Sequence, residues 1–339
     1  MARDDPGAPA GPAGEQSALR LRHRSFGPRQ LLVMAIVNRT PDSFYRPGVT
    51  WDEAAATDRV HQVIAEGADI VDIGGVPAGP GSDVGPGEEI RRTAGFIAAV
   101  RDAYPDVVIS ADTYRHEAGR EACAAGADLI NDSWGGWDPK LAEVAAEFGA
   151  GLVCAHAGPQ QPRTRPLRVA YPDVMADVLD RTLTLAARAV RAGVDPARIV
   201  IDPAHDFGKN TWHSLEITRR LPEMAATGWP VLVSVSNKDF VGETLGAGLE
   251  DRVDGTLAAT SVAALAGAKV FRAHEVRQTR RVVEMVASIV GTRPPASCGP
   301  WRERSLRSEP STLPRRRGTR RRGQPSPSLR GDGVRDRTY

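Results

Sequence analysis

Cysteine is scarce in this chain of 339 residues: Cys123, Cys154 and Cys298 are odd in number, far apart and without C-x-x-C spacing. A disulfide framework and a zinc cluster are therefore excluded, and a reducing compartment is expected. No apolar run approaches the roughly 20 residues that a membrane helix needs, and the first residues are rich in Pro, Gly and Ala rather than a charged end before an apolar stretch. These features predict a cytoplasmic protein that is not held in a membrane. The Gly-rich fingerprint that normally follows the first strand of a dinucleotide-binding sheet is also missing. Net charge is small as well, with 44 Lys and Arg against 42 Asp and Glu. That average hides an asymmetry, because the stretch from Arg293 to Tyr339 carries 13 Arg and 4 acids and leaves the body of the chain acidic. An acidic body is no nucleic-acid-binding domain, although the basic tail alone could touch polyanions weakly.

What is present divides the chain into three parts. Residues 1–27 hold few large apolar side chains and much Gly and Pro, and residues 292–339 repeat Arg, Pro, Ser and Gly. Neither composition offsets the entropy of ordering, so both are expected to be disordered arms. The 28–291 stretch between them is close to the ~250 residues of a (β/α)8 barrel. Eight short runs rich in branched apolar residues recur along it: Leu31–Val37, Asp69–Ile73, Val107–Ala111, Leu129–Asn131, Leu152–His156, Ile199–Ile201, Val231–Val235 and Val270–Arg272. Ala-rich stretches of helical period fill most gaps, among them Trp51–Glu66, Arg115–Ala125, Tyr171–Ala192 and Leu257–Ala266. The phrases E-G-A-D-I, A-G-A-D-L and A-G-A-K-V each place Gly between a helix and the next strand. This repetition predicts an α/β fold, a (β/α)8 TIM barrel in a single domain, in preference to an open doubly wound sheet.

Barrel chemistry sits where strands end, and the residues just past these runs are polar: Asn38, Gly74 with Gly75, Asp112, Asn131 with Asp132, His156, Asp202, Ser236 to Asp239, and Arg272 with His274. Each has a plain alternative, since Asp and Asn cap helices and Gly permits turns. Together they predict one pocket. Asp112, Asn131 and Asp202 offer acceptors and an amide to a planar heterocycle. Lys238, Arg272 and His274 come from the last two strands, where barrels commonly bind phosphate. Asn38 and Asp112 could help to hold Mg2+ on oxygen. His205 and Asp206 read as a solvated turn, and Trp134, Trp137 and Trp212 as packing against the barrel top.

Seven strings in order complete the picture: N-R-T-P-D-S-F (Asn38 to Phe44), D-I-G-G (Asp72 to Gly75), S-A-D-T (Ser110 to Thr113), I-N-D (Ile130 to Asp132), I-D-P-x-x-x-F-G-K (Ile201 to Lys209), S-N-K (Ser236 to Lys238) and R-A-H (Arg272 to His274). Over residues 31–290 the chain resembles the dihydropteroate synthases. The resemblance implies a barrel, a homodimer and the condensation of 6-hydroxymethyl-7,8-dihydropterin pyrophosphate with p-aminobenzoate. It assigns the pterin ring to Asp112, Asn131, Asp202 and Lys238, and pyrophosphate to Asn38, Arg272 and His274. It also gives Mg2+ to Asn38, a lid to Arg39–Gly48, loop support to His156, and catalytic roles to Lys238, Arg272 and His274.

The chain also departs from that family's pattern. Where the family reads E-S-T-R-P-G after D-I-G-G, this chain has V-P-A-G-P-G, so Thr and Arg have become Ala78 and Gly79. S-R-K-S has become S-N-K-D, with Asn237 and Asp239, and two glycines of D-P-G-x-G-F-G-K have become Ala204 and Asp206 around His205. The pterin half is kept and the second-substrate half is altered, a pattern resembling a divergent actinobacterial paralogue. Two readings follow, a synthase and a pterin-binding or partner protein without condensation activity. Methyl transfer to a corrinoid, a third possibility, requires a separate corrinoid protein.

Overall fold

The computed structural model describes residues 18–40, 52–159, 161–164 and 169–297. Two short strands, β1 (Leu19–Leu21) and β2 (Arg24–Phe26), form an antiparallel hairpin. Eight parallel strands follow: β3 (Leu32–Asn38), β4 (Ile70–Gly74), β5 (Val108–Asp112), β6 (Leu129–Asp132), β7 (Gly151–Ala155), β8 (Ile199–Asp202), β9 (Leu232–Val233) and β10 (Val270–Ala273). They pair in the order β8-β7-β6-β5-β4-β3-β10-β9. A bridge from Ile201 to Val231, with the Ile201 N–H donating to Pro230 O at 2.9 Å, links β8 to β9 and closes the (β/α)8 barrel.

The nine described helices are α1 (Glu53–Ala65), α2 (Pro86–Ala103), α3 (His116–Ala124), α4 (Lys140–Phe148), α5 (Val174–Ala192), α6 (Thr211–Ala225), α7 (Asp239–Leu245), α8 (Val253–Leu265) and α9 (Val276–Ile289). Their starts have local causes. Asp52 and Asp173 each accept a backbone N–H of the first turn of α1 and α5, and Asn210 and His213 form a reciprocal capping box on α6. The glycines of the three repeated phrases, Gly67, Gly126 and Gly267, have φ of 97°, 113° and 96°. Only glycine enters that region without a Cβ penalty, so each return from helix to strand is written into the sequence.

Side chains alternate along the strands. Val33, Ala35 and Val37 of β3 face the helices, whereas Leu32 and Met34 face the barrel axis with Ile70, Val108, Leu129, Val153, Val200, Leu232 and Val270. Leu19, Leu21 and Phe26 join this axial cluster and are at most 1% exposed. The expected unpacked arm through residue 27 is therefore corrected, because its last residues form a hydrophobic plug at the N-terminal end of the barrel. The cue lies in L-R-L-R-H-R-S-F, whose Leu19, Leu21 and Phe26 are too few to register as a strand pattern but enough to fill one open end. Lys269, itself fully buried, ties the plug down by donating to Gly27, Pro28 and Gln30 carbonyls. Arg20 and Arg22 form ion pairs with Asp195 and Asp128. Residues 1–17 and the tail from 298 lie outside the described residues.

Phe26→Ala removes the largest plug side chain from a site with no solvent. Urea unfolding of the variant is expected to show a loss of about 3–5 kcal/mol; a loss below about 1 kcal/mol would mean that the plug contributes little to the core.

Candidate active site

Strand register places the site residues in one row. Asn38 is opposite Gly74, Gly74 opposite Asp112 and Asp112 opposite Asn131, across four adjacent strands at their C-terminal ends. Asp202 ends β8, Lys238 follows β9, and Arg272 lies on β10 with His274 just beyond it, so the seven predicted residues meet at one mouth. Gly74 lies between Asn38 and Asp112 in this row, and a Cβ there would make ordinary contacts, 3.4 Å to Asp112 Cβ and 3.7 Å to Asn38 Oδ1.

A residue that sequence reading noted only as part of a string organises the mouth. Asp72 is a carboxylate in an otherwise apolar strand, and it is fully buried. Arg272 donates through Nε to Asp72 Oδ2 and through Nη2 to Asp112 Oδ2, each at 2.7 Å. The Asn131 amide adds a bond to Asp72 Oδ2 at 3.2 Å, and Ser133 Oγ donates to Asp112 Oδ1 at 3.0 Å. Arg272 thus reaches from β10 to β4 and β5 as the partner of two carboxylates. A charged residue inside a strand's apolar run was the available signal.

Burial dominates the electrostatics of the row. It pushes the Asp112 carboxyl up to about 6, with Arg272 opposing and Asp72 reinforcing the rise. Asp202 is also pushed up to about 6 by burial, against a hydrogen bond from Ala204 N–H at 2.7 Å and the charges of Lys238 and Lys209. Burial raises Asp132 to about 7, and its oxygens accept Trp134 and Gly136 N–H groups in the loop that follows β6. On the other wall, burial lowers His274 to about 3 and keeps its imidazole neutral. Lys238 is lowered by burial too, and its Nζ lies 4.5 Å from the centre of the Phe207 ring.

The altered half of the motif set has turned inward. Asn237 is 1% exposed at φ 54° and donates from Nδ2 to Glu275 Oε1 at 2.8 Å. Ser236 Oγ donates to the other Glu275 oxygen at 3.0 Å and accepts the His274 N–H at 3.1 Å. The position that the family fills with Arg therefore belongs to the core. Loop residues 78–83 are exposed, and Arg163 Nη1 donates to Ser82 O at 2.7 Å.

His205 and Asp206 correct the expected solvated turn. His205 is 1% exposed, bonded to Thr218 Oγ1 at 3.1 Å and stacked on Phe240, while Asp206 accepts Ser214 Oγ at 3.0 Å and Phe240 N–H at 3.2 Å. Both meet Phe240, His205 through the ring and Asp206 through the backbone N–H, and among the described residues no hydrogen bond joins them. Ala204 and Asp206 keep φ of 48° and 67°, the left-handed region that their family glycines suit, at a cost of roughly 1–2 kcal/mol per residue. Of Trp134, Trp137 and Trp212, Trp134 packs, edge-on to Tyr114 and Phe207, whereas Trp137 and Trp212 are 52% and 76% exposed, contrary to expectation. His156 is buried beside Tyr171, with Asp177 3.6 Å away, in keeping with loop support. Lys209, lowered by burial to about 7, crosslinks the same loops by donating to the carbonyls of His156, Ala204 and Phe207.

Of the two expected Mg2+ donors, Asp112 is ion-paired to Arg272, and Mg2+ commonly completes its six oxygens with water and substrate phosphates, so Asn38 would be the protein donor if the ion enters with its ligand. The lid Arg39–Gly48 lies mostly outside the described residues. Among those described, His116, Glu117 and Asp138 have metal-ligating atoms close together, but Asp138 already accepts His116 N–H, His116 Nδ1 and Lys140 N–H around the starts of α3 and α4.

Comparison with known proteins follows the geometry. The pterin binding enzyme family matches residues 34–274. The chain is 59% identical to inactive dihydropteroate synthase 2 of Mycobacterium tuberculosis over 268 residues, covering 78% of this chain and 84% of that protein. It is 36% identical to dihydropteroate synthase of Streptococcus pyogenes, covering 76% and 95%. The crystal structure of Yersinia pestis dihydropteroate synthase with a sulfonamide drug complex superposes with a TM-score of 0.77 at 31% identity, covering 81% of this chain and all of that one.

Between about pH 4 and 6 the folded protein retains protons on Asp112 and Asp202 that the unfolded chain has released, so stability should fall as pH rises through this window. The contribution is roughly 2–3 kcal/mol per carboxyl. Unfolding measured across pH 4–7 should show that decline and a shallower one in Asp202→Asn; an unchanged slope in the variant would contradict the assignment.

Proposed function

Because the chain belongs to the pterin binding enzyme family, we propose that this dihydropteroate synthase-like barrel holds a pterin ring in its mouth and does not condense it with p-aminobenzoate. One observation carries the reading. Asp112, Asn131, Asp202 and Lys238 stand together at the mouth, while Asn237, at a position where the family has Arg, is buried and bound to Glu275.

The ring half has the right chemistry. Ionised Asp202 and Asp112 accept N–H donors, Asn131 can donate and accept, and the Lys238–Phe207 wall offers a cation and an aromatic edge to a flat ligand. Condensation needs more, namely charge stabilisation of a departing pyrophosphate and a seat for the incoming amine. Asn237, in place of the family's Arg, is buried on Glu275, and Ala78 and Gly79, in place of its Thr and Arg, provide no side-chain donor or cation. Losing one preorganised donor or cation typically costs roughly 10² to 10³ in rate, so two or more losses bring turnover towards background. The name of the mycobacterial relatives, inactive dihydropteroate synthase 2, supports this reading.

The proposal includes a cytoplasmic homodimer. Among the described residues no helix is long and apolar enough to cross a membrane. Helices α8 and α9 pack side by side and expose Val262, Leu265, Met285 and Ile289, of which Ile289 is 69% exposed. A second copy would cover that face. Nucleic acid enters only through the basic tail, as a weak contact.

Calorimetric titration with 6-hydroxymethyl-7,8-dihydropterin is expected to show binding, and Asp202→Ala should weaken it by about 1.5–3 kcal/mol. Absence of binding would refute the pterin reading, and turnover at an ordinary family rate would refute the non-catalytic one. Light scattering should give twice the 36.3 kDa chain mass. Leu265→Arg combined with Ile289→Arg should return the chain mass; a monomeric wild type would remove the dimer.

A further inference from the structure

The residue next to Phe207 changes what the mouth can hold. Asp206 stands where the family pattern has glycine, in the left-handed conformation that glycine would adopt at no cost. Its carboxylate is not left to solvent. Oδ1 accepts the Ser214 hydroxyl of α6 at 3.0 Å, and Oδ2 accepts the Phe240 N–H in the first turn of α7 at 3.2 Å. The N-cap of that same helix is Lys238. Lys238 Nζ in turn lies 4.5 Å above the ring of Phe207, the residue that follows Asp206. Backbone and side chain thus bring Asp206 and Lys238 to the same corner of the mouth.

The consequence is electrostatic. Lys238 faces Asp202 as well as Asp206, and these two carboxylates are the anions that most support its charge. Burial raises the Asp206 carboxyl, and Lys238 is the charge that most opposes that rise. Arg272 is already shared between Asp72 and Asp112. Arg272 is thus held by two carboxylates, His274 is kept neutral by burial, and Lys238 has Asp202 and Asp206 as its main supporting negative charges. A glycine at position 206 would leave Lys238 with one fewer negative neighbour, and inside a poorly solvated mouth one unit charge outweighs any single neutral hydrogen bond.

We propose that Asp206 is the charge-selecting residue of the mouth, favouring an uncharged flat heterocycle over its phosphorylated form. This deepens the pterin reading and rests on it. The ring subsite recognises the heterocycle whether or not it carries phosphate, and Asp206 selects between the two by placing one more negative charge beside that subsite, which repels the ester's phosphates. The ligand class is then an unesterified pterin.

Binding of 6-hydroxymethyl-7,8-dihydropterin and of its pyrophosphate ester to the full chain, each measured by calorimetry in the same buffer, tests the idea. Wild-type protein is expected to bind the uncharged compound at least as tightly as the ester. Asp206→Asn keeps the size and an acceptor oxygen but removes the charge, and should shift the ratio of the two affinities towards the ester by about tenfold. Asp206→Gly restores the relaxed backbone and should shift it the same way, which separates charge from folding. A wild type that prefers the ester by more than tenfold, or a ratio unchanged in both variants, overturns the charge-selecting role while leaving the pterin reading intact. Failure of every form to bind either compound overturns both.

Discussion

A carboxylate inside a barrel must have a partner, and much of this molecule's upper half is arranged around giving Asp72 one. Arg272 reaches it across the mouth, and the guanidinium's planar fork lets the same side chain hold Asp112 as well. Asn131 fills a remaining acceptor position. Such a network adds little net stability over an apolar core of equal volume, but removing one member leaves a stranded charge. Its effect is on geometry: β10, β4, β5 and β6 are held in one alignment at their C-terminal ends, and a flat ligand meets a preset row of acceptors.

A second network sits beside it. Glu275 takes both Ser236 and Asn237, so the turn after β9 is tied to the end of β10. That turn aims Lys238 at Phe207. The two networks share no bond, yet both hold polar side chains of the mouth in internal contacts. A mouth so built is stiff, polar and electrically balanced. These properties suit holding a heterocycle more than stabilising charge separation during a reaction.

Much of this was legible in the sequence. Barrel topology follows from eight apolar runs and three Gly returns, because both depend on local backbone preference and on period. Asn38, Asp112, Asn131, Asp202, Lys238, Arg272 and His274 could be placed at the mouth because a strand's end fixes its residue's level in a barrel. What could not be read was pairing. That Arg272 is held by Asp72 depends on a partner two hundred residues away, and Asp206 became informative only when Ser214 and Phe240 were found around it. The plug escaped for another reason: Leu19, Leu21 and Phe26 are buried by an opening that exists only once the sheet has closed.

That plug has a consequence for biogenesis. Lys269 Nζ meets the carbonyl of Gly27 across a separation of 242 residues. During synthesis the hairpin leaves the ribosome first, and the last strand that completes its seat leaves near the end. The seat of Leu19, Leu21 and Phe26 is therefore incomplete through the translation of nearly the whole barrel, and the hairpin docks fully only once β10 has formed.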